Sequence, residues 1–168
     1  MEDNELKPEE VDRIEAEGNF DFAKALDGFI PTLVDAQFSS PYQLAVAVLE
    51  PSPGPAWYSD QNLHDQRMRE MMKRIRLVHS LEMDRVFREQ NWTVRVNVYI
   101  TTKDGKRYEV RGHEVKPLTR TEITAKFVRQ ARFFLPEDRV EKAKDMILNL
   151  QNLSDVASLT EALVVENR

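Results

Sequence analysis

The sequence predicts an α+β fold, a two-layer sandwich in which helices cover a mostly antiparallel sheet of about four strands. Three observations carry that prediction. From Trp92 to Ile100 apolar and polar residues alternate with period two, the pattern of a strand with one face on a core. Lys103-Asp104-Gly105-Lys106 then supplies an Asp-Gly turn, and Tyr108 and Val110 resume the alternation, so the run returns as a hairpin. Further on, apolar residues recur at helical spacing behind a capping box, giving helices that can lie on one side of such a sheet. All 168 residues are expected in a single domain of this kind.

The elements follow in order. Residues 1–10 are a polar lead-in, and Val11 to Glu17 is a short strand stopped by Gly18-Asn19. Phe20 to Leu26 is expected as a brief helix ending at Gly28. In SSPYQLAVAVL, Ser39 or Ser40 caps a helix and Pro41 suits its first position, where no N–H is needed. Tyr42 to Leu49 is apolar almost all round, so this helix should be buried on most faces. Glu50 to Trp57 holds three prolines and a glycine and reads as an extended loop. Asn62 to Lys73 is expected as one charged helix whose apolar content is Leu63, Met68, Met71 and Met72, packing residues in this reading. Arg74 to His79 is a strand with Ile75 and Leu77 facing one way.

After the hairpin, Thr119-Arg120-Thr121-Glu122 is a capping box, and Ile123, Phe127, Ala131 and Phe134 form the stripe of the helix it opens. Pro136-Glu137-Asp138 starts another helix with acids at its positive end, and its stripe is Val140, Ala143, Ile147, Leu150 and Leu153. Asp155 to Leu163 is a short final helix or turn.

Composition narrows the function. With no cysteine there is no disulfide, thiolate metal site or cysteine nucleophile. Leu44 to Leu49, the longest apolar run, falls far short of the roughly 20 residues that span a bilayer. The acidic start MEDNELKPEE is unlike a presequence, so a cytoplasmic location without membrane contact is expected. A net charge of −5 argues against nucleic acid as the main partner. No glycine-rich loop follows a strand, and His64, His79 and His113 lack ligand-like spacing, so neither cofactor nor metal is expected.

Three features invite a functional reading beside a plain one. Arg67, Arg69, Lys73, Arg74 and Arg76 cluster in an acidic chain; a solvated, partly neutralised face is the plain reading and docking of an anion the sharper one. His113 lies in the stretch Gly112 to Pro117, expected as a loop. Tyr42 stands in the first turn of its helix, where free N–H groups welcome anions, and a phenol there can donate to a carboxylate. The alternative is a core tyrosine whose hydroxyl bonds a nearby backbone group.

Several stretches resemble the MmgE/PrpD family in its C-terminal domain. They are Leu6-Lys7-Pro8-Glu9-Glu10-Val11-Asp12-Arg13-Ile14, Asp35-Ala36-Gln37-Phe38-Ser39-Ser40-Pro41-Tyr42, Pro53-Gly54-Pro55-Ala56-Trp57-Tyr58, Lys103-Asp104-Gly105, Gly112-His113 to Thr119, and Leu150 to Val156. The likeness runs over about residues 6–165 in the same order. That family holds 2-methylcitrate dehydratases, cis-aconitate decarboxylases and an iminodisuccinate epimerase, each pairing a helical domain with a smaller α+β lid. The resemblance implies that this chain is the lid, with the helical domain absent from it, as in a split gene or an excised domain. It implies the small subunit or lid of a cofactor-independent lyase or isomerase acting on a small polycarboxylate. Such a lid is inactive alone and needs a helical-domain chain of the same family, or self-association. Tyr42 alone carries over as the catalytic residue; Gln37, Ser40 and His113, as neighbours expected to face the same cleft, are the candidate substrate-binding residues. A non-catalytic assembly or regulatory subunit that keeps the lid fold is the alternative.

Overall fold

The computed structural model describes residues 6–19, 32–50, 52–90, 95–114 and 117–165, without the side chains of 113 and 114. The chain divides into two compact units, Met1–Val115 and Lys116–Arg168.

The first unit is built on a mixed four-stranded sheet. Its strands are β1 (Val11–Gly18), β2 (Ile75–His79), β3 (Arg95–Thr102) and β4 (Arg107–Glu114), in the order β2-β1-β3-β4. β1 runs parallel to β2 and antiparallel to β3, and β3 is antiparallel to β4. The parallel pair requires the long crossover that the chain makes between β1 and β2. Among the described residues this unit holds five α-helices: α1 (Leu33–Phe38), α2 (Ser40–Leu49), α3 (Asp60–His64), α4 (Gln66–Met72) and α5 (Leu81–Glu89). α2 packs on α4 and on β2, which makes the two layers of an α+β sandwich.

Register fixes which side chains meet. Ile14 lies between Ile75 and Ile100, and Ala16 between Leu77 and Val98, so these residues share the face that meets the helices. Val11 and Ile14 enter one core with Ala36, Tyr42, Ala45, Val46, Leu63, Met68, Met71 and Met72. Burying each of the larger side chains contributes about 1.5–3 kcal/mol. The opposite face carries Glu15, Glu17, Arg76, Asn97, Tyr99 and Glu109.

The hairpin forms where the Asp-Gly turn predicts it. Gly105 sits at φ +84°, and the Thr102 N–H donates to the Lys106 carbonyl at 2.9 Å. Further along, the β3–β4 register shifts between Val96 and Val98. There Gly112 adopts φ +61° and donates its N–H to the Asn97 side chain at 2.7 Å. The Asn97 amide in turn donates to Glu17 of β1 at 2.8 Å, so one side chain ties three strands at an irregular step.

The second unit holds α6 (Arg120–Ala131), α7 (Glu137–Leu148) and α8 (Ala157–Leu163). The capping box is present: the Thr119 hydroxyl accepts from the Glu122 N–H, and the Glu122 carboxylate accepts from the Thr119 N–H at 2.7 Å. Arg139 of α7 holds the end of α8 by donating to the carbonyls of Glu161, Ala162 and Val164. Val140 and Ala143 are buried, whereas no residue of α6 is.

Several local expectations change. The charged helix expected over 62–73 is two helices, because the Asp65 carboxylate caps a fresh start by accepting from the Arg67 N–H at 2.8 Å. α1 and α5 were not foreseen; Thr32 caps α1 by accepting from Asp35 N–H. Ser39, not Ser40, is the cap of α2, and Pro41 is its second residue. His113 lies on β4, paired with Val96, not in a loop. The brief helix expected over Phe20 to Leu26, and the strand residues Trp92 to Val94, lie outside the described residues.

Candidate functional site

Tyr42 is placed by the corner between α1 and α2. Ser39 ends one helix and caps the next, its buried hydroxyl accepting from the Tyr42 N–H at 3.2 Å. With that start fixed, the phenol in the first turn points into the core among Val11, Ile14 and Val46. The residue is 1% exposed.

Its hydroxyl donates to the Trp57 carbonyl at 2.6 Å. Trp57 belongs to a single 3-10 turn, Pro55–Tyr58, and further bonds hold that turn to the helices. The Trp57 indole N–H donates to the Glu50 carbonyl at 2.8 Å. The Gln43 amide bridges the Ala36 carbonyl, at 2.8 Å, and the Tyr58 hydroxyl, at 3.0 Å. Asn62 of α3 donates to the Ala56 carbonyl at 2.7 Å, and the rings of Tyr42 and Tyr58 lie 6.4 Å apart and nearly parallel. Every buried side-chain polar atom among the described residues has a partner.

Burial, and secondly the neighbouring Tyr58 phenol, push the Tyr42 hydroxyl up to about 12. It therefore stays protonated through the physiological range. In that state it is a hydrogen-bond donor, not a base, and its proton is already given to a backbone carbonyl. This is the arrangement of a packing tyrosine. Contact with a substrate requires the hydroxyl to exchange its acceptor and the turn over it to shift.

The other expected site residues are dispersed. Gln37 is exposed near the end of α1, and Ser40 is half-buried at the start of α2, so both flank the corner that places Tyr42. His113 is on β4, separated from β1 by the whole of β3, while Tyr42 packs against β1 residues. Sequence reasoning named neither Trp57 nor Tyr58, which engage the Tyr42 side chain, nor Gln43, which bonds Tyr58, as site residues. The available signal was an aromatic pair at the end of a proline-rich loop, where large rings need cover.

The basic cluster is largely neutralised. Arg67 pairs with Asp65 at 2.7 Å, Lys73 with Glu70 at 2.7 Å, and Arg76 with Glu15 at 3.9 Å. Arg74 donates to the Val11 carbonyl at 2.8 Å and so pins β1 from within the chain. Among the described residues no group of three or more His, Asp or Glu could hold a metal ion, and no helix is long and apolar enough to cross a membrane.

Among the described residues, concave surface also occurs away from this corner, in both units. In the first unit a cleft of 460 Å³ opens beside the hairpin turn, lined by Leu6, Glu9, Thr102, Lys103, Asp104 and Tyr108 among others. In the second a groove of 360 Å³ runs between α6 and α7, lined mainly by Ile123, Phe127, Ile147 and Leu148.

The fold and the corner around Tyr42 define a small α+β domain, a four-stranded mixed sheet with helices packed on it. The family profile of the MmgE/PrpD C-terminal domain matches residues 1–152, and the chain belongs to the MmgE/PrpD family. Cis-aconitate decarboxylase of Mus musculus is similar, 28% identical over 134 residues that make up 77% of this chain and 27% of the relative. The chain thus spans about a quarter of the length of the curated relative it matches.

Proposed function

We propose that this chain is the small subunit or lid of a cofactor-independent lyase or isomerase acting on a small polycarboxylate. The observation that supports it most is the match to the MmgE/PrpD C-terminal domain over residues 1–152. The partial alignment to a decarboxylase agrees with it. The helical domain of the family is the partner this reading requires, because proton transfer beside a carboxyl group needs at least two positioned groups. Dehydration, decarboxylation and epimerisation share that step, and the lid would exclude water from it on closing. In this proposal Tyr42 donates to the reacting substrate only in the closed complex, once Trp57 has released its hydroxyl. Gln37, Ser40 and His113 stand nearer that role than any deep core residue, as candidates for carboxylate contact.

One observation favours the second reading, a non-catalytic assembly or regulatory subunit. The Tyr42 hydroxyl is spent inside the chain, donating to the Trp57 carbonyl from a side chain that is almost wholly buried. The two readings part on one experiment. The chain is mixed with a helical-domain chain of the family, and loss of candidate di- and tricarboxylates is followed with each component alone and together. Turnover that needs both components supports the lid; a stable complex with no effect on turnover supports the second reading.

A further inference from the structure

The sheet face opposite the helices carries charges in cross-strand rows, and most of them are paired. Arg76 meets Glu15 at 3.9 Å, Asn97 meets Glu17 at 2.8 Å, and Arg111 meets Glu109 at 3.0 Å. One row departs from this. Arg13 of β1 is directly opposite Thr101 of β3, and Thr101 is directly opposite Arg107 of β4. Both arginines are exposed, and neither has a hydrogen-bond or ion-pair acceptor among the described residues. Asp12, displaced by the irregular step between Val11 and Arg13, forms no ion pair with either.

The row is partly pre-organised. The Arg107 guanidinium lies 4.6 Å from the centre of the Tyr99 ring, so cation–π contact orients it over a diagonal neighbour on β3. Arg111 stands over the same ring at 5.7 Å, and Glu109 already neutralises it. Neighbouring strands lie about 4.8 Å apart, so the two arginines rise from positions about 10 Å apart with a hydroxyl between them. Guanidinium groups bind carboxylates through paired parallel N–H donors, and an exposed pair with no internal acceptor lacks only that ligand.

We infer that Arg13, Thr101 and Arg107 form a binding site for a small polycarboxylate on the open face of the sheet. Each arginine takes one carboxylate and the Thr101 hydroxyl donates between them. The inference rests on the proposed function for the choice of polycarboxylate, and it gives this chain a share in substrate capture that does not depend on Tyr42.

The test is calorimetric titration of the chain at low ionic strength with citrate, acetate and inorganic phosphate. Arg13→Gln and Arg107→Gln are the variants, and Arg69→Gln removes the same charge elsewhere as control. Saturable citrate binding, weakened at least tenfold by each of the two substitutions and unchanged by the control, is the expected result. No citrate binding overturns the inference, as does equal weakening by Arg69→Gln or phosphate binding as tight as citrate. Circular dichroism checks that the exposed substitutions leave the fold intact. In the complex with a helical-domain chain, Arg13→Gln or Arg107→Gln should raise KM with kcat retained. Turnover with an unchanged KM sinks this site alone. Citrate binding by the chain together with a complex that turns nothing over sinks the lyase reading and leaves the site standing.

Discussion

The Tyr42 hydroxyl donates to the Trp57 carbonyl across 2.6 Å, and this bond joins the start of one helix to a turn 15 residues further on. It gives the 55–58 turn a fixed seat on α2 and accounts for the one polar atom on an otherwise apolar ring. A substitution that keeps the ring and removes the oxygen isolates its contribution. Tyr42→Phe should lower stability by about 1–2 kcal/mol, since it leaves a carbonyl unpaired in a covered site. Equilibrium urea unfolding checks this, with an unchanged m-value. Tyr42→Ala should cost about 3–5 kcal/mol by adding a cavity.

The same bond sets an alkaline limit. The folded-state pKa is raised to about 12 from the ordinary phenol value of 10.0, so the folded chain holds that proton more tightly than the unfolded one. The stabilisation is complete below pH 10 and is lost as the pH rises through about 12. Unfolding midpoints measured from pH 9 upward should therefore fall, and the fall should be shallower in Tyr42→Phe.

Gly105 and Gly112 hold left-handed backbone at φ +84° and +61°, with no heavy atom within 4 Å of where a Cβ would stand. The cost of alanine at either position is thus conformational and not steric, about 1–2 kcal/mol each. Thermal unfolding of the two variants measures it. Gly112→Ala should also loosen the Asn97 link to β1, seen as faster amide exchange at Asn97 and its neighbours.

Thr119→Ala removes the hydroxyl that caps α6 and should cost about 1 kcal/mol. Because the second unit is compact by itself, the loss should show as faster amide exchange in the first turn of α6, with β1 and β3 protection unchanged.

How much was legible in the sequence depends on how local the cause was. The hairpin at Asp104-Gly105, the capping box of Thr119 and Glu122, and the helix start at Ser39-Pro41 are set by residues a few places apart, and all three form, the last with Pro41 one place further into the helix than expected. The break at Asp65 was missed because a charged residue inside a charged helix looks like a surface position, and only its capping bond reveals a new start. The parallel pairing of β1 with β2 is non-local and leaves no mark in either strand. Tyr42 shows both sides. Its place in the first turn of a buried helix was readable, whereas its acceptor belongs to a distant loop and was not. The alignment of arginines across the β1–β3–β4 row was invisible for the same reason, since only register sets Arg13 in line with Arg107.

The central claim is that this chain completes a reaction centre on a small polycarboxylate. Solvent deuterium exchange at the carbon beside a carboxyl group tests it most directly, because dehydration, decarboxylation and epimerisation all exchange or place a proton there. With the helical-domain chain present, the account predicts exchange into at least one member of a di- and tricarboxylate panel, and none with either chain alone. A well-formed complex that exchanges nothing across the panel would contradict it.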